Sequence, residues 1–416
     1  MSRMTGVSSK KQDNNDDKNC VQPSASFSSS SRWLSMSSFH VTPNRHPFKY
    51  ISNSRFLQYT HVEISEKTKM DTQNILALLP IGTYFSIIIG LFIFIMGSLV
   101  KNYSASSNVA QKKLYVGLTI ASLVHTWFYM LKFIKWSFDQ YTNTHQVAST
   151  DTLTIITEWL SNTRLFEQAW LLVNINADNR WWSEQICTFT VGAWTVFLAT
   201  EGWKHKVKHV WAYMLLGQLV AVAVAANLFF LALTVAPPIP KEKETKDYFQ
   251  RLPLRIWLPV TLAIGSVVLN PYTDKTTFLP NLLVMHALIF IPILPIWNVT
   301  PSVFTLSRTL FMWIIALVAF SIHTGSFNDV FMGLQPASLT NFAVHQWSVL
   351  HSNPAQASIG WDVIWATISY SAWLLTSPKA TIPEELSTTR AKLFIVPTML
   401  FNPIGSAGVV APIIQT

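Results

Sequence analysis

Charge is scarce in this chain: Asp, Glu, Lys and Arg together make up 12% of 416 residues, against 50% for the apolar and aromatic set AVILMFWYC. Soluble globular domains carry about 25% charged residues, so too few are present to cover a water-facing surface of this size. A water-soluble fold is therefore the first exclusion. Cysteine is nearly absent, and Cys20 in a polar stretch and Cys187 in an apolar run build neither a disulfide framework nor a four-ligand zinc site. Also missing are a Walker loop, an HExxH pair and a CxxCH haem attachment site. No DDxxD or NDxxD pattern is present to hold magnesium against a prenyl diphosphate, because Asp16 and Asp17 lack the partner three positions on. The DxDD pattern of soluble protonating cyclases is missing too.

The residues that are present point to a membrane. The net charge of +9 fits a nucleic-acid partner or the basic loops of a polytopic membrane protein, and the apolar content selects the second, with no nucleic acid. Residues 1–72 are polar and Ser-rich, with SASFSSSSRWLSMSS at 24–38, and are expected to form a disordered tail ahead of a transmembrane domain at 73–416. No apolar core near Met1 marks a secretory signal, and Asp13, Asp16 and Asp17 count against a mitochondrial presequence.

Apolar runs occur at 75–100, 114–138, 184–200, 209–235, 254–270, 278–297, 306–323, 360–376 and 393–414. A helix rising 1.5 Å per residue crosses a hydrocarbon layer about 30 Å thick in about 20 residues, and only a helix satisfies its own backbone there. The expected fold class is all-α, a polytopic transmembrane bundle of eight or nine spans. Residues 154–176 contain Glu158, Arg164 and Glu167 and fit either a buried span or an interfacial helix. The basic residues disagree on orientation. Lys241, Lys243, Lys246, Arg251 and Arg255 mark one loop as cytoplasmic and the Lys- and Arg-free 324–359 as the opposite side, but Lys204, Lys206 and Lys208 then face the wrong way.

Ionisable groups at membrane depth are costly and mark sites by default. Glu158, Glu167, Glu184, Glu201 and Asp362 lie in or against the apolar runs. At 100° per residue, Glu167 shares a face with Trp170 and Asn174, Glu201 with Trp194, and Asp362 with Trp365 and Ser369. A carboxyl group walled by aromatic side chains holds its proton, because desolvation disfavours the charged form, and it then serves as a general acid. Indole faces stabilise a cation formed nearby. The competing roles are structural: Arg164 is placed to pair with Glu167, and helix-start positions favour Glu184 and Asp362 as anions.

Trp181, Trp182, Trp203, Trp257, Trp297 and Trp361 flank runs as an interfacial belt does, whereas Trp170, Trp194 and Trp211 lie deeper. His125 shares a face with Ser122, Tyr129, Lys132 and Trp136, and it suits either a catalytic base or interhelical hydrogen bonding, as do His286 and His323. Gln218 and Asn227, nine residues apart on one expected helix, point to opposite faces. Lys132 and Lys135 are placed to snorkel.

Three blocks, RLFEQAWLLVN at 164–174, WWSEQICTFTVGAWTVFL at 181–198 and HVWAYMLLGQLVAVAVAANLFFLAL at 209–233, resemble fungal membrane-bound terpene cyclases of meroterpenoid pathways. The type examples are the cyclases of ascofuranone and macrophorin biosynthesis. The likeness is clearest over 154–235, looser over the other runs, and does not extend to 1–72. It implies intramolecular cyclisation of a prenylated, often epoxidised, aromatic or quinone substrate. The reaction would be started by protonation, with no metal or other cofactor. It further implies an endoplasmic reticulum or other endomembrane location, membrane lipid as surroundings and other enzymes of the pathway as associates. A second fungal cyclase group, shorter and seven-spanned, fits the length less well.

On these grounds Glu167 and Glu201 are the leading acid candidates, with Asp362 and Glu158 behind them, and His125 or another carboxylate is the base that removes the last proton. Trp170, Trp194, Trp211 and Tyr213 are expected as cation-stabilising walls, and Asn174 and Gln218 as polar contacts to substrate. Two other classes compete. One is a membrane acyltransferase centred on His125 or His286; the other is a transporter or accessory protein, for which Pro280, Pro292 and Pro295 would break one helix.

Overall fold

A computed structural model describes residues 54–103, 108–145, 151–237, 250–294, 304–376 and 405–415. Two compact units divide after His61: Met1–His61 is described only over the helical residues 54–61, and Val62–Thr416 holds the rest. Helix α1 runs Ser54–Tyr103, so residues 54–72 of the expected tail are helical, while 1–53 lie outside the described residues. Once a long apolar segment nucleates a helix, each added residue costs little, and polarity alone does not stop it.

The remaining helices of the described residues are α2 (Val109–Thr144), α3 (Thr152–Asn162), α4 (Leu165–Leu172), α5 (Ala177–Phe189), α6 (Thr195–Lys204), α7 (Val210–Leu219) and α8 (Val222–Val235). They continue with α9 (Leu254–Leu269), α10 (Phe278–Leu288), α11 (Arg308–Gly333), α12 (Leu339–Leu350), α13 (Pro354–Thr376) and α14 (Ala407–Ile414). Among the described residues one small exception interrupts the helical pattern: β1 (Arg251–Pro253) pairs antiparallel with β2 (Thr305–Ser307), with Leu252 opposite Leu306.

Among the described residues, four stretches are long and apolar enough to cross a bilayer: Asn74–Lys101, Val109–Thr144, Leu254–Tyr272 and Arg308–Gly333. Their most apolar windows are only 17%, 22%, 39% and 33% buried, and the outward side chains include Ile89, Ile93, Val124, Leu131, Leu262 and Leu317. An apolar outside on long helices fits an integral membrane protein.

The expected count of eight or nine spans is not supported, and the reason is breaks that run-counting does not see. The 184–200 run is divided by a π-helical turn, Thr190–Trp194. The 209–235 run is divided between α7 and α8, where Ala221 is extended at φ −172°, ψ 141°. The helix expected at 278–297 ends at Leu288 and is succeeded by a 3₁₀ turn, Ile291–Ile293; Trp297 lies outside the described residues. Residues 154–176 form the short helices α3 and α4 with no single span. Of 393–414, only the part from residue 405 is described.

Helix α8 is apolar on all sides and is buried accordingly, with Ala223, Val224, Ala225, Phe229 and Phe230 at 0% exposure. It is enclosed by α2, α7 and α13, while α5 packs on α11, α13 and α14. Polar contacts tie helices together: Asn227 donates to Ser122 at 3.5 Å, Asn179 to Gln356 at 3.0 Å, and Ser137 to Gln168 at 2.7 Å.

Candidate functional site

The candidate site is built on α5, the π turn and α6, which succeed one another without a break. Asn176 caps α5 by accepting from the Asn179 amide at 2.9 Å. Within the π turn the Thr195 hydroxyl donates to the Thr190 carbonyl at 2.7 Å. Gly192 lets α11 approach closely, since a Cβ there would lie 2.6 Å from Ile315 Cγ2. One π turn changes the angular register of the residues beyond it, so α6 presents a different face from the one a continuous wheel predicts.

That register puts Trp194 at 0% exposure inside an aromatic ring set. Its ring lies 6.2 Å from Phe189, 6.0 Å from Phe197, 5.6 Å from Phe229 and 6.0 Å from Phe230. Tyr213 joins through Phe229 at 5.3 Å, and Tyr370 through Phe189 at 5.7 Å. Two turns beyond Trp194, Glu201 is 5% exposed and its Oε2 makes no hydrogen bond. His205 Nε2 stands 3.5 Å from that oxygen, and Arg308 and Tyr370 are near enough to interact with Glu201 electrostatically. Gln415 donates to the Tyr370 hydroxyl at 3.1 Å, while Gln415 Oε1 and Arg308 Nε are buried without partners. Glu201, Arg308 and Tyr370 therefore lie within electrostatic reach of one another.

The other acid candidates do not join this cluster. Asp362 is buried, but both its oxygens accept backbone amides, from Val222 and Ala223 at 2.8 Å each. It caps the free N-terminus of α8 from another helix, which replaces the bonds lost at the α7/α8 break. Glu167 is half-buried and pairs with Arg164 at 3.2 Å. Glu158 is exposed on α3.

Among the expected walls, Trp170 is half-buried, 6.4 Å from His286, and Trp211 lies 5.8 Å from Phe94. Asn174 exchanges hydrogen bonds with Asn270 at 2.8 and 3.4 Å. Gln218 is half-buried near the end of α7 with its Nε2 unpartnered, and the helix break removes the single wheel that set it opposite Asn227. His125 accepts from Trp365 Nε1 at 3.1 Å through Nδ1 and lies on Trp361 at 4.1 Å. His286 Nδ1 is bonded to the Leu282 carbonyl at 2.7 Å. Among the described residues neither histidine has a carboxylate partner.

The belt assignment fails for Trp181 and Trp182, which are 9% and 8% exposed within the core. Apolar flanks on α12 and α13 cover them: Phe342 lies 5.2 Å from Trp181, and Trp182 Nε1 donates to the Gln346 carbonyl at 3.2 Å. Glu184 is likewise not at a helix start. Helix α5 begins at Ala177, and Glu184 is buried against His323, with Nδ1 to Oε1 at 2.6 Å. Sequence reasoning does not pair Glu184 with His323 or include Arg308, Tyr370 and Gln415 in a site. The one available signal is an ionisable group inside an apolar run, since its partner lies 139 residues away.

A pocket of about 510 Å³ lies on α1, lined by Leu79, Gly82, Thr83, Ser86 and Ile87, and none of the candidate residues borders it. Among the described residues no group of three or more His, Cys, Asp or Glu is placed to hold a metal ion. Comparison with protein-family models, curated proteins and solved structures finds no match to this chain.

Proposed function

We propose that the chain is a multi-pass membrane enzyme of the isomerase type, a cyclase that folds a prenylated, epoxidised aromatic or quinone substrate after protonating it. Glu201 is the proton donor in this reading. The observation that carries it is a buried carboxyl group, 3.5 Å from His205 Nε2 through one oxygen, two turns along a helix from an indole enclosed by aromatic rings. Trp194, Phe230 and Tyr370 would face the developing cation, whose charge their ring quadrupoles favour. Arg308 and Tyr370 would stabilise the negative charge left on the carboxylate after proton transfer.

An endomembrane location belongs to the same proposal, as do an apolar substrate entering from lipid and association with other enzymes of its pathway. Support for a spanning bundle comes from the four long apolar helices. Asp362 is better assigned to capping than to catalysis, Glu158 is exposed and Glu167 is paired with Arg164.

Expression in a fungal host fed epoxyprenyl quinols tests the reading. The expected result is a product isomeric with its precursor, unchanged in mass. Recovery of the precursor alone, with the protein present in the membrane fraction, would overturn it.

A further inference from the structure

Helices α7 and α8 enter the bundle and turn back within it. Phe94 on α1 lies 4.3 Å from the His209 ring at the start of α7, and Tyr84 donates to the Leu219 carbonyl at its end at 2.5 Å, so α7 runs antiparallel to α1. Helix α8 then runs back along α7: Tyr213 meets Phe229 at 5.3 Å, and a Cβ on Gly217 would lie 3.4 Å from Ala225. Asn227 bonds Ser122 and Phe230 lies 5.6 Å from Tyr115, so α8 leaves toward the start of α2. Lys112 donates to the Tyr103 carbonyl at 2.8 Å, which puts the start of α2 beside the end of α1. At 1.5 Å per residue α7 and α8 reach about 15 and about 21 Å, each short of a hydrocarbon layer about 30 Å thick. A hairpin of two partial spans has both its ends on one side, whereas one span over 209–235 would have them on opposite sides. The disagreement among the basic residues over orientation thereby disappears.

Helix α6 closes at this end in a tight turn. The Val207 amide donates to the Gly202 carbonyl at 2.8 Å and the Lys206 amide to the Trp203 carbonyl at 3.0 Å, with Lys206 left-handed at φ 51°. The turn carries Lys204, Lys206 and Lys208, the last two exposed. Arg251 and Arg255 belong to the same end, because β1 pairs with β2, which leads into Arg308 within electrostatic reach of Glu201. Lys101 ends the first spanning stretch there and exposed Lys113 opens α2. Among the described residues from Asn74 on, the acid at this end is Glu201, and it is 5% exposed. At the opposite end both signs occur. Lys135 pairs with Asp139 at 2.5 Å and Arg164 with Glu167 at 3.2 Å, and Asp151, Asp178, Asp274 and Asp329 lie there with Arg180 and Lys275.

Cytoplasmic ends of membrane proteins carry an excess of Lys and Arg, and the anionic lipids of the cytoplasmic leaflet attract such residues. We propose that the end of the bundle carrying the Lys204–Lys208 turn faces the cytosol and docks the headgroups of anionic phospholipids. The fit is one of charge: exposed lysines meet no exposed acid among the described residues at this end. Trp203 and Phe94, 46% and 40% exposed at the same end, are aromatic anchors of the kind that sit at headgroup level. This surface rests on a spanning bundle and is independent of cyclisation.

Lipid selectivity in nanodiscs holding the purified full chain tests the docking. Spin-labelled phosphatidylserine is expected to be immobilised with at least about threefold preference over spin-labelled phosphatidylcholine, and about 0.5 M NaCl should bring the ratio toward one. The combined change Lys204→Gln, Lys206→Gln and Lys208→Gln should remove much of the preference, while Lys132→Gln with Lys135→Gln should leave it intact. Equal immobilisation of the two lipids by the wild type overturns the proposal without reference to any variant. Sidedness is read in sealed microsomes with the cytosolic face outward, on a background of Cys20→Ser and Cys187→Ser. A membrane-impermeant maleimide should label Lys206→Cys directly and Lys275→Cys only after detergent; the reverse order overturns the proposal with the chain still in the membrane. Loss of cyclisation with both results retained would remove the catalytic reading and leave this one standing.

Discussion

Asp362 shows how one side chain can be misread from its neighbours along the chain. On its own helix it sits beside Trp365 and looks like an acid against an indole, but its two oxygens are held by the amides of Val222 and Ala223, 140 and 139 residues away. Replacing it by Ala leaves two buried donors unsatisfied, at a cost of about 1–3 kcal/mol each. Thermal unfolding in detergent should show Asp362→Ala as one of the most destabilising single changes in the bundle. An unchanged midpoint would contradict the capping role.

Glu201 is recognisable in the sequence as a candidate because an ionisable residue in an apolar run stands out. Arg308 is not, because it sits at a run's edge, where basic residues are ordinary. Glu184 and His323 are each visible, and each has a sufficient structural duty when taken alone. Only the fold puts 2.6 Å between them.

Elements are legible where their signal is local. The apolar runs at 75–100 and 114–138 lie within long helices because length and hydropathy suffice. The breaks at Thr190–Trp194 and at Val220–Ala221 are not legible, since neither carries proline and the partner that compensates the second is Asp362. The π turn and its packing rest on Gly192. An Ala there must displace Ile315 from a 2.6 Å contact, an overpacking that typically costs about 1–3 kcal/mol. Gly192→Ala should therefore lower stability, and pairing it with Ile315→Ala, which removes the clashing Cγ2, should cost less than the sum of the two single changes; additive effects would place the strain elsewhere.

The turn before α10 gives a pH prediction. Asp274 accepts from the amides of Thr276 and Thr277 at 2.8 and 2.9 Å and from both their hydroxyls. Bonding to Thr276 and then Thr277 holds its carboxyl below the usual carboxylate value of 3.8. A depressed acid stabilises the fold above its unfolded value and loses that effect as pH falls through its folded one. Exchange protection of the Thr276 and Thr277 amides should thus persist as pH drops to 3.8 and fade only below it.

At the scale of the whole molecule, the scarcity of charge in the composition and the outward apolar faces of the long helices carry the same physical message. The chain should stay in the membrane fraction through alkaline carbonate washing, and release into the supernatant would contradict a spanning bundle. Composition could not give the number of spans, because a broken helix and a continuous one have the same residues. Nor could it bring Glu201 within electrostatic reach of Arg308 and Tyr370, which only the fold does.

The central claim is that Glu201 delivers the proton that starts ring closure. The direct measurement is the rate of isomer formation from an epoxyprenyl quinol in isolated membranes, with EDTA present, for the wild type and for Glu201→Gln at equal protein level. General acid catalysis contributes about 10²–10⁴-fold, so the account predicts EDTA-insensitive conversion by the wild type and at least about 100-fold slower conversion by the variant. Equal rates for the two proteins would contradict it.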